Sequence, residues 1–527
     1  MKQIKSKSRA TKYADHIRML TEIGMALSAE KDINRLLEII LTEARAITNA
    51  DGGTLYLMSE DFRELHFALV QNESLQLNMG GTGGRITWPP VTLTTAEGKP
   101  DHTHVSAHVA ITGDMVNISD VYDAVGFNFE GTRYFDSETK YRSKSMLVVP
   151  MRNHDNDIIG VLQLLNAKDP VSHQIITFSE QAQTLAMSLA SQAAVALTNN
   201  MLINDLESLL DAFIKTIATA IDEKSPYTGG HVRRVADLTM MIAEKVNTAT
   251  DGPFAAVQFS NEEMKELHMA AWLHDVGKIT TPEHVVDKST KLEKVYDRIE
   301  DVRKRFELLK REYQLAMVNT RENRSGLSEE DVSKDLKALD DEYQFLVQVN
   351  YGSEFTRDEM IERIKEIAQR RWNISSQTLP LLSEDEIYNL SIRRGTLNDE
   401  ERVIINNHAA ITYKMLSQLP FPRKMRRIAE YAAAHHEKID GSGYPLGLKG
   451  EELPLQARII ALADIFEALT AKDRPYKKGK TLSEAMNIMR QMVKDSHIDA
   501  DLFELFVIKK VNLDYANREL TPQQLDM

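Results

Sequence analysis

The sequence predicts a multidomain protein: an α+β domain, a long connecting helix, and an all-α domain that contains a helical hairpin. Three observations carry this expectation. At 527 residues the chain exceeds what one core ordinarily fills. From 51 to 165, short β-prone runs (GTLYLM, LHFALV, SMLVVPM, IIGVLQLLN) are separated by Gly, Asn and Asp turns, and from about 225 onward the strand signal fades. Between the two, Phe178 to about Glu223 holds no Pro or Gly.

Taken in order, residues 14 to about 50 read as a helix, with Ile17, Leu20, Ile23, Leu27, Ile33, Leu36, Leu37, Ile40 and Leu41 at helical spacing. Helix, strands and helix again make 14–177 an α+β sensory-type domain. The connecting helix, 178–223, carries Leu185, Leu189, Ala193 and Leu197, then Leu206, Leu210, Phe213 and Ile217. A stripe this long suits pairing with a second copy, so a homodimer is expected, the alternative being that the helix packs onto its own domain. Further on, Val295, Ile299, Val302, Phe306, Leu309, Tyr313 and Met317 alternate spacings of four and three. After the turn-like RENRSG the pattern returns in Leu336, Leu339, Tyr343 and Leu346, an antiparallel helical hairpin.

Composition narrows the chemistry. No apolar run approaches the ~18 residues of a membrane span, and the basic N-terminus lacks the apolar stretch of a signal peptide, so a cytoplasmic protein without membrane partners is expected. The net charge of −14, from 64 basic and 78 acidic residues, argues against nucleic-acid binding. There is no cysteine, which excludes disulfides, thiolate metal sites and a cysteine nucleophile. Any transition metal must be held by imidazole and carboxylate, ligands that suit Mn, Fe or Zn.

Several of the 15 histidines are organised. AAWLHDVGKI, 270–279, delivers His274 and Asp275 side by side at a helix end, where the carboxylate can bridge two ions while the imidazole holds one. His231 follows the Gly-Gly turn of PYTGGHVRRVADL, and His408 lies in ERVIINNHAAITYKML. His435 and His436 precede a glycine-rich loop in YAAAHHEKIDGSGYP. Asp464 stands in the apolar ARIIALADIFEAL, where burial without a cation or a hydrogen-bond partner would be costly.

The ordered set H…HD…H…HH…D, with HDVGK and HHEKIDGSGYPLGLKGEELPLQARIIALAD, resembles the HD-GYP family of cyclic di-GMP phosphodiesterases over 215–293 and 395–510. Gly443-Tyr444-Pro445, Asp440, Gly441, Arg458 and DRPYKK (473–478) stand intact. The resemblance implies an all-α HD-type metal-dependent phosphohydrolase, its parts at 224–293 and 395–527; the hairpin-bearing segment 294–394 departs from the family as an insertion that gates the site, mediates dimer contact or is a solvated surface decoration. It implies His231, His274, Asp275, His408, His435, His436 and Asp464 as metal ligands, Asp275 bridging. Lys278 and Asp275 would be catalytic, and Lys278, Tyr444, Arg474 and Lys477 would hold the dinucleotide; Arg458 fits a substrate or a structural role equally. Iron or manganese is the implied metal. Tyr227 stands where members with a third metal carry glutamate, so two ions are expected, with Glu223 one turn earlier. Such a pair would lower the pKa of a shared water and screen charge on the phosphate, Lys278 adding a positive charge. The product would be linear pGpG, with a further cut to GMP. The competing readings are a phosphohydrolase for another nucleotide and a non-catalytic cyclic di-GMP receptor; no ligand of the set is missing, which favours the enzyme.

ADGGTLYLM, SMLVVPM, IIGVLQLLN and their flanking helices resemble a GAF domain, implying a small-molecule sensor of unknown ligand that regulates the enzyme through the connecting helix. Asn166, Lys168 and Phe178 echo the signature of cyclic-nucleotide-binding members, but Ala182 and Gln183 occupy its acidic positions. His102, His104 and His108 are expected in a loop, lining a pocket or, more commonly for such a segment, facing solvent.

Overall fold

A computed structural model of the chain describes residues 18–224, 230–323, 329–352, 355–374, 377–471 and 479–527. Its contacts divide into two compact units, one ending at Leu209 and the other starting at Leu210. Among the described residues no helix is long and apolar enough to cross a membrane.

The first unit is built on one antiparallel sheet: β1 (Ala50–Met58), β2 (Glu64–Asn72), β3 (Leu77–Gly80), β4 (Val91–Thr92), β5 (Val116–Ile118), β6 (Met146–Arg152), β7 (Ile158–Lys168) and β8 (Ile175–Ile176). The order is β3-β2-β1-β7-β6-β5, with β4 on β2 and β8 on β7. Strand alternation gives the sheet two working faces. Leu55, Leu162 and Leu164 point one way and pack with Leu36, Ile40 and Leu41 of the helix Ile33–Thr48. Tyr56, Val148 and Val161 point the other way, towards Val105 and Val109 of the helix Val105–Thr112.

Three sequence expectations change here. The single helix over 14–50 is two: one runs through 18–29, and Asp32 starts the next by accepting from the N–H groups of Asn34 and Arg35 at 2.9 and 3.0 Å. Residues 14–17 lie outside the described ones. His108 is helical rather than in a loop, because nothing breaks VSAHVAIT until Gly113 closes the helix at φ 73°. Its ring meets that of His102, Nδ1 to Nδ1, at 3.2 Å. Third, Asn166, Lys168 and Phe178 are structural pins. Asn166 bonds Tyr141, Arg142 and Lys144, Lys168 pairs with Asp51, and Phe178 is buried in the core.

The helix Glu180–Asp222 spends its apolar stripe twice. Leu189, Ala193 and Leu197 are buried in the core of their own unit rather than offered to a second copy. Ile214 and Ile221 enter the core of the second unit, while Leu206 and Phe213 stay 66% and 63% exposed.

Among the described residues the second unit holds two large apolar cores, beside a small cluster of Ala434, Leu453 and Ala457. The larger joins the helices His231–Asn247, Asn261–Leu273, Ile428–Ala433, Leu455–Thr470, Leu482–Lys494, Ala500–Ile508 and Val511–Glu519. The smaller gathers Val302, Phe306, Leu339, Leu346, Ile364 and Leu382 from the segment between Leu292 and Leu390. This lobe contains the helices Ile299–Asn323 and Glu329–Asn350, and also Asp358–Ala368, Glu384–Leu390 and a two-stranded ladder, Arg371–Ile374 with Gln377–Pro380. The ladder departs from the all-α expectation; Trp372 and Ile374 favour an extended chain, and four residues a side give no readable period.

Two buried lysines tie the lobe down. Lys288 Nζ lies 2.8 and 2.7 Å from the Glu401 carboxylate oxygens. Lys291 Nζ donates to Thr356 Oγ1 at 2.7 Å and to the carbonyls of Leu390 and Ile392 at 3.0 and 2.8 Å. Glu401 also closes the capping box with Asn398 that starts the helix Asp399–Leu416.

Candidate metal centre

Each side chain of the centre is delivered by a helix end or a helix face. His231 is the first residue of its helix, directly after Gly230 in the left-handed region at φ 82°. The helix Asn261–Leu273, started by a Ser260–Glu263 capping box, stops at His274, and Asp275 leads into a tight 3-10 turn. His408 lies within Asp399–Leu416, two turns beyond Glu401. His435 and His436 sit in the 3-10 turn that ends Ile428–Ala433, and Asp464 lies within Leu455–Thr470.

All seven side chains converge. Their donor atoms form two groups able to hold a metal, His231–His274–Asp275 and His408–His435–His436, the atoms of each within 4.8 Å of one another. Asp275 addresses both. Its Oδ2 lies 3.3 Å from His274 Nε2 and 3.6 Å from His231 Nε2, and its Oδ1 lies 3.4 Å from His408 Nε2 and 3.8 Å from His435 Nε2. Asp464 Oδ1 is 3.4 Å from His231 Nε2. Donors about 2.1 Å from a shared ion stand roughly 3–3.5 Å apart, so these spacings suit coordination.

The ring orientations point the same way. Nδ1 of His274 and His435 faces the carbonyls of Ala271 and Ala432 at 2.7 and 2.6 Å, and His408 Nδ1 faces Ile405. With Nδ1 committed to a carbonyl, the lone pair is on Nε2. Nε2 of His274, His408 and His435, and Oδ1 of Asp275, are buried without a hydrogen-bond partner. Four such buried atoms, divided between the two clusters, are what cations would satisfy. Burial holds His435 well below the ordinary histidine range and His436 down to about 4, so both are neutral donors at pH 7. Burial opposes charge on His231, yet the carboxylates of Glu467, Asp275 and Asp464 outweigh it and raise its pKa.

Three further residues act through the named ones. Glu467 lies one turn past Asp464; its Oε2 meets His231 Nδ1 at 2.5 Å and its Oε1 accepts from Arg234 Nε at 2.7 Å. A second carboxylate three residues after Asp464 in an apolar helix was the available signal. Glu467→Gln should cut metal affinity by about 10–100-fold, the usual effect of losing a partner that orients a ligand. Metal retention against a chelator checks this, and unchanged retention would leave Glu467 as a partner of Arg234 alone.

Thr412 joins two segments: Gly277 N–H donates to its hydroxyl at 3.0 Å, and the hydroxyl donates to the His274 carbonyl at 3.1 Å. The glycine of HDVGK is required by this approach. A Cβ on Gly277 would stand 2.1 Å from the His408 carbonyl oxygen and 2.7 Å from Thr412 N. Gly277→Ala should therefore push the His408 helix outward, costing about 1–3 kcal/mol of stability and on the order of a hundredfold in any activity of the centre. Thermal melting and rate assays on the same preparation would read both, and a wild-type melt and rate would contradict the steric account.

Glu437 holds the glycine-rich loop, accepting from the N–H groups of Leu446, Gly447 and Leu448 at 2.6, 3.1 and 3.0 Å. Tyr444, carried by that loop, packs its ring on His436 with centroids 4.8 Å apart. Lys278 Nζ pairs with Asp275 Oδ2. Arg458 turns out structural, bonding Asp499 at 2.9 Å and the carbonyls of Leu453 and Gly450. Glu223 is exposed, whereas its neighbour Asp222 is buried and accepts from Val232 N at 3.3 Å. Tyr227, Arg474 and Lys477 lie outside the described residues.

Comparison with known proteins agrees with both units. Residues 32–197 match the GAF domain family, and 228–345 and 356–502 match two HD domain families. Among curated proteins, 3'3'-cGAMP-specific phosphodiesterase 1 of Vibrio cholerae is 42% identical over 113 residues, 21% of this chain and 25% of that protein. A probable cyclic di-GMP phosphodiesterase of Vibrio cholerae is 37% identical over 136 residues, 25% of this chain and 30% of that one. A cyclic di-GMP phosphodiesterase of Thermotoga maritima is 44% identical over 94 residues, 18% and 25%. The chain thus spans between a quarter and a third of the length of these relatives. It carries a GAF domain followed by an HD domain.

Proposed function

We propose that the chain is a metal-dependent phosphodiesterase that hydrolyses cyclic di-GMP to linear pGpG, and onward to GMP, in the cytoplasm under control of its GAF domain. The observation that carries this reading is the position of Asp275, one oxygen towards each of two histidine clusters. Two transition-metal ions, iron or manganese, held by His231, His274, Asp275, His408, His435, His436 and Asp464, would supply Lewis acidity at the phosphate and acidify the attacking water.

The chain's own residues do the rest. Lys278 brings a positive charge beside Asp275 for a phosphate oxygen. The Glu437-pinned loop presents the Tyr444 ring as a platform on which a base stacks. Arg474 and Lys477 add positive charge for the dinucleotide. The exposed Leu206 and Phe213 support a homodimer through the connecting helix.

A second substrate, 3'3'-cGAMP, is raised by the first of the relatives above. Anaerobic purification, elemental analysis and parallel assays of both dinucleotides test the proposal. About two ions per chain and faster turnover of cyclic di-GMP are expected. Faster turnover of 3'3'-cGAMP would transfer the assignment to it; bound metal with neither substrate cleaved, or no metal, would overturn the enzyme reading.

A further inference from the structure

The helix Glu180–Asp222 ends beside the metal centre, and the side chains at its end do two opposite capping jobs. Asp222 is buried, and its carboxylate accepts from the N–H groups of Gly230 and Val232, where the helix begun by His231 leaves its first donors unmatched. Just beyond it, Lys224 Nζ donates to the carbonyls of Ile279 and Thr281 at 2.7 and 2.9 Å. Those carbonyls close the 3-10 turn Val276–Thr280, which carries Lys278. A carboxylate at a helix start and an ammonium at a helix end each match the local dipole. We propose that Lys224 is a positioning residue: it fixes the exit of this turn and thereby places the Lys278 ammonium at the reacting phosphate.

The turn is supported from two sides. Its internal bonds run in series, from Lys278 N–H to the Asp275 carbonyl at 2.9 Å and from Thr281 N–H to the Lys278 carbonyl at 3.0 Å. On the side before Lys278, Gly277 rests against the His408 helix through Thr412. On the side after it, Lys224 grips the carbonyl of Ile279, the residue next to Lys278, and that of the buried Thr281. A lysine stem is long and flexible, so the place its ammonium takes depends on where its backbone is held. Lys278 hangs between these two fixed points.

Space decides between positioning and substrate binding. Asp222, Lys224, Asp275 and Lys278 line one crevice with Glu283 and Asp287, about 20 Å³ in volume. That is room for about one water, not for a phosphate. The carboxylates of Glu283 and Asp287 also disfavour an anion beside Lys224. Lys224 therefore acts through Lys278 rather than on the substrate.

The role of Lys278 at a phosphate rests on the phosphodiesterase reading; the hold of Lys224 on the turn does not, and the two are tested apart. Amine labelling of the full-length, metal-loaded chain, followed by mass spectrometry, reads the hold. In Lys224→Met, Lys278 should react about tenfold faster relative to the exposed Lys424, as its ammonium leaves Asp275. Lys224→Arg, whose guanidinium also reaches two carbonyls, should stay within about twofold of wild type. Turnover of cyclic di-GMP reads the consequence. In Lys224→Met, kcat should fall about tenfold with KM within about twofold, while metal content and melting temperature stay unchanged. In a Lys278→Met background the same substitution should alter kcat by less than about twofold, because the group it misplaces is gone. Unchanged labelling of Lys278 in Lys224→Met overturns the proposal, as does a rate loss that persists in full in the Lys278→Met background. A wild type that cleaves neither cyclic dinucleotide defeats the phosphodiesterase reading instead, and the labelling then decides the proposal alone.

Discussion

Under the function proposed above, Asp275→Ala is expected to lower the metal content of the centre and to reduce cyclic dinucleotide hydrolysis by at least about a thousandfold. The size follows from geometry. One carboxylate faces both histidine clusters, so its loss weakens two ion sites together. Burial alone would raise the Asp275 pKa, but Lys278, His274 and His231 hold it well below the usual carboxylate range. The group is therefore ionised throughout the physiological range and available to cations. Asp275→Asn keeps the shape and removes the charge, which separates coordination from packing. Elemental analysis and steady-state rates read the outcome. Two ions retained per chain, with a rate within tenfold of wild type, would show that Asp275 is not the bridging ligand.

The second large effect concerns stability. Lys288→Met should destabilise the second unit by about 3–5 kcal/mol, because it leaves the Glu401 carboxylate buried with its cation gone. The melting temperature should fall by on the order of 10 °C. Because Glu401 starts the helix that carries His408, metal affinity should drop as well. Lys288→Met/Glu401→Leu should recover most of the lost stability, since a neutral apolar pair often replaces a buried ion pair without penalty. Calorimetry on the two variants distinguishes the cases: a single variant that melts like wild type would mean that the pair is solvated.

The sequence made the centre visible because its residues are chemically rare in their settings. A carboxylate inside ARIIALADIFEAL and a histidine pair before a glycine loop have few bland explanations, and the fold brings them to one point. Residues that act through others left weaker marks. Glu467 reads as one more charge on a helix until its partners His231 and Arg234 are in view. Thr412 looks like any helical threonine, and only the approach of Gly277 gives it a task. The main strands were legible as β-prone runs between turns, but the helix Val105–Thr112 was not. Eight residues, mostly small or β-branched, show no amphipathic period, so only the Gly113 stop hinted at it. The stripe on Glu180–Asp222 was legible as apolar, but not how its length is shared between two cores; periodicity says which residues share a face, not which neighbour covers them.

The lobe between Leu292 and Leu390 has its own apolar core, and native-state hydrogen exchange is expected to show it as a foldon that opens while the helical bundle stays closed. Its latch is unusual. The Lys291 ammonium is satisfied by a hydroxyl and two carbonyls rather than by a carboxylate. Salt screens such a contact little, and burial lowers the Lys291 pKa to about 8, so the latch is charged at neutral pH and loses its charge as pH rises. Amides on both sides of the latch are expected to exchange with one shared free energy, which native-state hydrogen exchange would read.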